Sequence, residues 1–269
     1  MRIVKKQLLA VLAISFITGL QAQSIDSASV NHAIAKDTSI ATNKWNTVTK
    51  KRNAGYKTFL VPGILIAYGA ASLESKGLRN FNTEIKEEIW LENPHKKTTI
   101  DNYLQYSPAV AVYALNGLGI KGRNNFIDRS MIYFLSNVMM SATVLGVKKL
   151  THELRPDGSD YYSFPSGHTA EAFASAEFLR QEYKNISPWY GIAGYVAASA
   201  TGVLRMYNNK HWMSDVLAGA GVGIASTKLA YLIYPAIKKK FFKNKTMNTM
   251  VMPYYQSGSA GLAMVYHLK

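Results

Sequence analysis

The chain has 269 residues, with 31 Lys and Arg against 16 Asp and Glu, and no cysteine. Apolar residues make up 48% and charged residues 17%, which excludes intrinsic disorder. The missing thiols exclude disulfide scaffolds, zinc–thiolate sites and iron–sulfur clusters, and a formal net charge of +15 favours anionic partners such as lipid surfaces, phosphorylated substrates or nucleic acid.

Residues 1–22 read as an export signal. Arg2, Lys5 and Lys6 form a basic start, 8–20 is apolar, and Ala22 is a small residue at the cleavage point. An uncleaved anchor is the other reading of the same pattern. Residues 23–56 form a polar segment rich in Ser, Thr, Asn and Asp.

From residue 57 to 245, uncharged runs alternate with charged loops. The runs cover 59–72, 103–120, 131–147, 189–204 and 216–227, and 169–183 is helix-like with charges inside it. They are built from Ala, Leu, Met and Gly rather than alternating β-branched residues, which predicts an all-α bundle of about six helices. Two short apolar segments around Gln256-Ser257-Gly258-Ser259 predict a C-terminal β-hairpin tail over 246–269. Basic residues near 50–52, 121–129, 180–184 and 238–240 would share one side of a membrane. An exported amino terminus contradicts that parity, and a mean hydropathy of −0.05 is low for long spans. A soluble or membrane-associated periplasmic bundle and an integral membrane bundle therefore both stay open.

The chemistry-bearing residues cluster between 148 and 215. Lys148 is followed by Arg155-Pro156, then by Pro165-Ser166-Gly167-His168 opening a helix, then by Arg205, His211 and Asp215. A phosphoryl group in transfer spreads charge over its nonbridging oxygens and needs several cations. Lys148, Arg155 and Arg205 can supply them, Arg by bidentate contact and Lys as a point charge. Ser166 and Gly167 stand where backbone N–H groups at a helix start bind anions. With no thiol, an imidazole is the candidate nucleophile, and His211 has Asp215 at i+4 to fix its tautomer. A second imidazole, His168, can protonate the leaving oxygen and then activate water. Taken singly, each of these is as readily a solvated charge, a loop histidine or a surface pair. No His, Asp and Glu spacing suggests a metal site.

Taken together, Lys148-x6-Arg155-Pro156, Pro165-Ser166-Gly167-His168 and Arg205-x5-His211-x3-Asp215 resemble the three signature motifs of the type 2 phosphatidic acid phosphatase superfamily. That superfamily includes lipid phosphatases, bacterial class A acid phosphatases and vanadium haloperoxidases. The resemblance implies phosphate binding by Lys148, Arg155, Ser166, Gly167 and Arg205, with His168 as acid, His211 as nucleophile and Asp215 as its partner. It implies no cofactor and no metal, although phosphate or vanadate can occupy such a site. One departure is Leu204, where the family's third motif usually has Ser before its Arg.

The expected function is an exported phosphohydrolase working through a phosphohistidine. Its substrate would be a phosphorylated lipid such as lipid A, phosphatidylglycerophosphate, phosphatidate or undecaprenyl pyrophosphate. The alternatives are a soluble periplasmic acid phosphatase acting on small phosphoesters and, more remotely, a vanadate-dependent haloperoxidase. The expected location is the periplasm, or an inner membrane with the active site facing the periplasm. Membrane association is expected, and the lack of aromatic–basic interleaving argues against nucleic acid as a partner.

Overall fold

A computed structural model describes residues 56–93, 95–241, 249–256 and 259–266. The export signal and nearly all of the polar segment lie outside the described residues, as do His32 and His267. The helices are α1 (Leu60–Glu74), α2 (Lys76–Lys86), α3 (Asp101–Leu104), α4 (Ser107–Gly117), α5 (Phe126–Thr151), α6 (Gly167–Tyr183), α7 (Pro188–Tyr207) and α8 (Met213–Phe241). A 3-10 turn, Tyr56–Phe59, precedes α1, and a π-helical turn, Glu87–Leu91, extends α2. The backbones of β1 (Thr249–Gln256) and β2 (Ser259–Tyr266) run antiparallel, with Thr249 opposite Tyr266.

The termini of the long helices follow local chemistry. Asn125 caps α5 by accepting from the Asp128 N–H at 2.8 Å, and Ser187 caps α7 ahead of Pro188, which needs no N–H partner there. Helix α5 ends where His152 turns left-handed at φ 45°, a conformation rare for a residue with a Cβ. Six helices of ten or more residues match the predicted apolar runs. The expectation of about six helices falls short in two places. The run over 103–120 is broken into α3 and α4, with Tyr106 between Gln105 and the Ser107-Pro108 start of α4. Helix α2 has no apolar run at all: its sequence KGLRNFNTEIK is amphipathic, and it leaves α1 at a bend of 97°.

The chain divides into two compact units, Met1–Ala230 and Tyr231–Lys269. The first holds the three-motif segment. Its core joins Ala172, Phe173 and Ala176 of α6 to Ala198 of α7 and to Ala220 and Ile224 of α8. A Cβ at Gly219 would stand 2.5 Å from the Ser166 carbonyl oxygen, and one at Gly223 would overlap the Ala170 carbonyl. Glycine at both positions lets α8 cross the start of α6 backbone to backbone, which brings residues 211–215 beside 163–168. The second unit contains the last turns of α8, interrupted by Pro235, and the two strands. Pro235 has no N–H to give the carbonyl of Tyr231, the residue at which this unit begins.

The first unit distributes its residues in an unusual way. Helix α7 buries Gly191, Gly194, Ala198, Thr201 and Gly202 and exposes Trp189 and Val196. Helix α1 buries Pro62, Gly69 and Ser72 and exposes Leu60 and Ile64. Helix α5 exposes Met131, Phe134, Val138 and Leu145 along one stripe. Small residues inside and large apolar ones outside is the pattern of helices packed in lipid. Helices α5 and α8 are long and apolar enough to cross a membrane, and the bent pair Lys57–Glu74 and Lys76–Leu91 makes a third candidate span.

Candidate active site

The site is assembled at one end of the bundle. Helix α5 ends there with Lys148, α6 begins there with Ser166, Gly167 and His168, and α7 ends there with Arg205. His211 sits in the α7–α8 connection, Asp215 in the first turn of α8, and Arg155 in the loop after α5. The N–H of Ser166 donates to the Asp215 carbonyl at 3.0 Å, locking the start of α6 to the start of α8.

His211 and Asp215 are both buried. Nη1 of Arg155 lies 3.2 Å from Nε2 of His211. A guanidinium has no acceptor, so Arg155 donates and Nε2 is the unprotonated nitrogen. The proton then resides on Nδ1, which faces Oδ2 of Asp215 at 3.4 Å. The imidazole lone pair thus points at a cation. Burial and the positive fields of Arg205, Lys148, Arg155 and His168 hold the His211 pKa well below its ordinary value. A neutral, tautomer-fixed imidazole with its lone pair among cations is prepared to attack an electrophile carrying negative charge.

Asp215 is held from several directions. Its Oδ2 accepts from the Ser163 hydroxyl at 2.5 Å and from the Trp212 N–H at 2.9 Å. These bonds orient the carboxylate toward Nδ1.

Each predicted cation is present, and each is already held. Lys148 donates to the carbonyls of Tyr162 and Ser163, the latter at 3.3 Å. Arg155 donates from Nε to both oxygens of Asp160 at 2.8 Å and from Nη1 to the Lys210 carbonyl at 3.1 Å. Arg205 donates from Nη1 to Oδ2 of Asp101 at 2.6 Å, while its buried Nε has no hydrogen-bond partner among the described residues.

His168 stands in the first turn of α6, where its Nε2 meets Oδ1 of Asn102 at 2.9 Å. Burial and the charge of Arg205 bring its pKa down to about 4. A bound anion acts in the opposite sense and favours the imidazolium. Ser166 is buried and accepts from the Thr169 hydroxyl at 2.9 Å, which leaves its own O–H to donate. Among the described residues, a Cβ at Gly167 would meet only Val144, at 3.7 Å. The protein's own packing therefore does not require glycine there, and any requirement comes from what binds.

All eight residues singled out in the sequence lie at this end of the bundle. Leu204 is half-buried on α7, and its carbonyl accepts from the Asn208 N–H at 2.8 Å. His152 caps α5 and His95 stacks on Tyr207 with ring centroids 3.5 Å apart, so both serve structure. Sequence reading missed Ser163, Asp160, Asp101 and Asn102. Only Asp160 carried a local signal, an acid five residues after Arg155 in a turn-rich loop. Among the described residues no three His, Asp or Glu side chains are grouped to hold a metal ion.

A family model described as the PAP2 superfamily matches residues 129–239. Lipid A 1-phosphatase of Porphyromonas gingivalis is 45% identical over 137 residues, which are 51% of this chain and 31% of that protein. The chain thus spans about a third of the length of the curated relative it matches. Two solved structures are also similar. A transmembrane PAP2 type phosphatidylglycerolphosphate phosphatase from Bacillus subtilis matches at 18% identity and a TM-score of 0.42, over 71% of this chain and all of that one. LpxE from Aquifex aeolicus matches at 19% identity and a TM-score of 0.38, over 63% of this chain and 93% of that one.

Proposed function

We propose that this chain, which a PAP2 superfamily model matches over residues 129–239, belongs to that superfamily and is a phosphatase that hydrolyses a phosphorylated lipid. The observation that carries the reading is the approach of Arg155 Nη1 to His211 Nε2 at 3.2 Å, with Asp215 behind the other ring nitrogen. In the first step Nε2 of His211 attacks phosphorus, the bond to the leaving oxygen breaks, and His168 gives that oxygen a proton. In the second step His168 takes a proton from water, the hydroxide attacks the phosphohistidine, and orthophosphate leaves. Lys148, Arg155 and Arg205 balance the charge on the nonbridging oxygens, and Ser166 O–H with the Gly167 N–H donates to them. Asp215 stabilises the imidazolium character that His211 acquires.

The substrate class rests on two supports. The inside-out helices of the first unit suit a bilayer, which favours a lipid over the small phosphoesters of a soluble acid phosphatase. The curated relative named above is a lipid A 1-phosphatase, which puts lipid A beside phosphatidylglycerophosphate, phosphatidate and undecaprenyl pyrophosphate in the panel to be tried. The same reading includes export, an active site facing the periplasm, a phosphatase domain over 57–245 and a hairpin tail over 246–269.

His211→Ala tests the mechanism. Phosphate release from the preferred lipid is expected to fall by about 10³-fold or more, with the helical circular dichroism unchanged. Quenching the wild type in alkali during turnover should trap an acid-labile phosphoprotein that the variant lacks. Label retained on a serine ester would move the nucleophile to Ser166.

A further inference from the structure

Outside the three motif segments, residues 95–102 are mounted on the last turn of α7 by successive contacts. His95 stacks on Tyr207 and its Nε2 meets the Tyr207 carbonyl at 2.7 Å. The Asn208 amide both accepts from the Thr98 N–H and donates to the Thr98 carbonyl, each at 2.8 Å. Asp101, which is buried, then takes Arg205 at 2.6 Å and Asn208 at 3.3 Å on the same oxygen. From this mounting the next residue, Asn102, reaches across to α6 and meets His168 at 2.9 Å.

We propose that Asp101 and Asn102 are positioning residues of the catalytic centre, the first setting the Arg205 guanidinium and the second setting the His168 ring. Asp101 occupies only Nη1, so Nε and Nη2 of Arg205 are held at a fixed angle with their protons available. Nε is buried without a partner among the described residues, a state that is costly unless an anion completes it. An amide Oδ1 only accepts, so His168 donates from Nε2 to Asn102. That leaves Nδ1, which has no hydrogen-bond partner among the described residues, as the nitrogen that exchanges the proton with the leaving oxygen. The segment therefore selects both which atoms of Arg205 meet phosphate and which nitrogen of His168 acts as the acid. It rests on the phosphatase reading for its chemistry, but not for its contacts.

The charged groups acting on His168 are Arg205 on α7, Asp101 on α3, Arg155 in the α5–α6 loop and Lys148 on α5. A carboxylate in place of the Asn102 amide would join Asp101 against those three cations and favour the imidazolium. Asn102 is exposed, so its variants are expected to fold.

The experiment uses the full chain in detergent micelles. Asn102→Ala should lower kcat about tenfold or more with KM changed less than about twofold, since an acid acts on the chemical step. Asn102→Asp should raise the His168 titration midpoint, read by NMR of labelled imidazoles with a His168→Asn reference spectrum, by about one pH unit. The basic limb of its kcat profile should move the same way. For Asp101, Asp101→Ala should raise KM about tenfold alone and add less than about twofold in an Arg205→Ala background, while Asp101→Asn keeps a hydrogen bond and stays closer to wild type. A wild-type kcat in Asn102→Ala, an unmoved His168 midpoint in Asn102→Asp, or full additivity of Asp101→Ala with Arg205→Ala would overturn the inference. A wild type that turns over no phosphoester would defeat the phosphatase reading instead, and the NMR midpoint would still decide whether Asn102 sets His168.

Discussion

Helices α5 and α6 lie side by side and reverse the usual relation between polarity and burial. Helix α6 carries Glu171, Glu177, Arg180 and Glu182, yet from Thr169 to Tyr183 every residue except Glu171 is buried. Helix α5 has no charge between residues 130 and 147, yet it exposes Met131, Phe134, Val138 and Leu145. In water the opposite arrangement is stable, because apolar surface is driven inward and charge outward. The pair is reconciled if the medium around α5 is hydrocarbon and α6 is the polar spine that the other helices seal off. The charges on α6 are compatible with burial because they are paired. Arg180 donates to both oxygens of Glu177 at 2.7 and 2.6 Å, Tyr195 donates to it at 2.5 Å, and Asn124 donates twice to Glu182.

The largest effect is expected at that spine. Glu177→Ala removes a carboxylate and leaves Arg180 buried without its partner, which should destabilise the protein by about 3–5 kcal/mol, read as a lower unfolding midpoint in micelles. An unchanged midpoint would mean that water reaches α6. Next comes the outer stripe. Phe134→Asp in a bilayer-facing helix should cost about 2.5–3.5 kcal/mol of insertion and deplete the carbonate-resistant membrane fraction. On a water-facing helix the same change would stay within about 0.5 kcal/mol, so one substitution separates the two surroundings. The smallest effect belongs to the seam between α5 and α8, where Ser136 and Thr227 share a 2.7 Å hydroxyl bond. Ser136→Ala should lower stability by about 1 kcal/mol, because Thr227 keeps the Ala174 carbonyl at 3.2 Å.

What the sequence made legible follows from what is local. Uncharged runs marked α1, α5, α7 and α8, because their lipid-like faces leave no room for charge, and Ser166-Gly167 marked the start of α6. The eight site residues were legible as a set because their types match one chemistry, although no single one of them was decisive. Helix α2 was not legible, since an amphipathic 11-residue segment looks like a charged loop when only apolar runs are counted. Asp101 and Asn102 were invisible for a different reason. Their partners Arg205 and His168 lie 104 and 66 residues away, and only the stacking of residues 95–102 on the end of α7 brings them together. Ser163 was hidden between the first two motif segments, its value apparent only when Asp215 arrives from α8.

The prior engagement of Lys148, Arg155 and Arg205 bears on the end of the catalytic cycle. On the phosphatase reading, orthophosphate competes with the Tyr162 and Ser163 carbonyls for Lys148 and with Asp160 for Arg155, and those oxygens return when it departs, whereas Arg205 keeps Asp101 throughout. Lys148 and Arg155 thus each have an internal replacement ligand waiting, which lowers the barrier to letting the product go. On the same reading, such a centre resists clogging by the free phosphate of its surroundings.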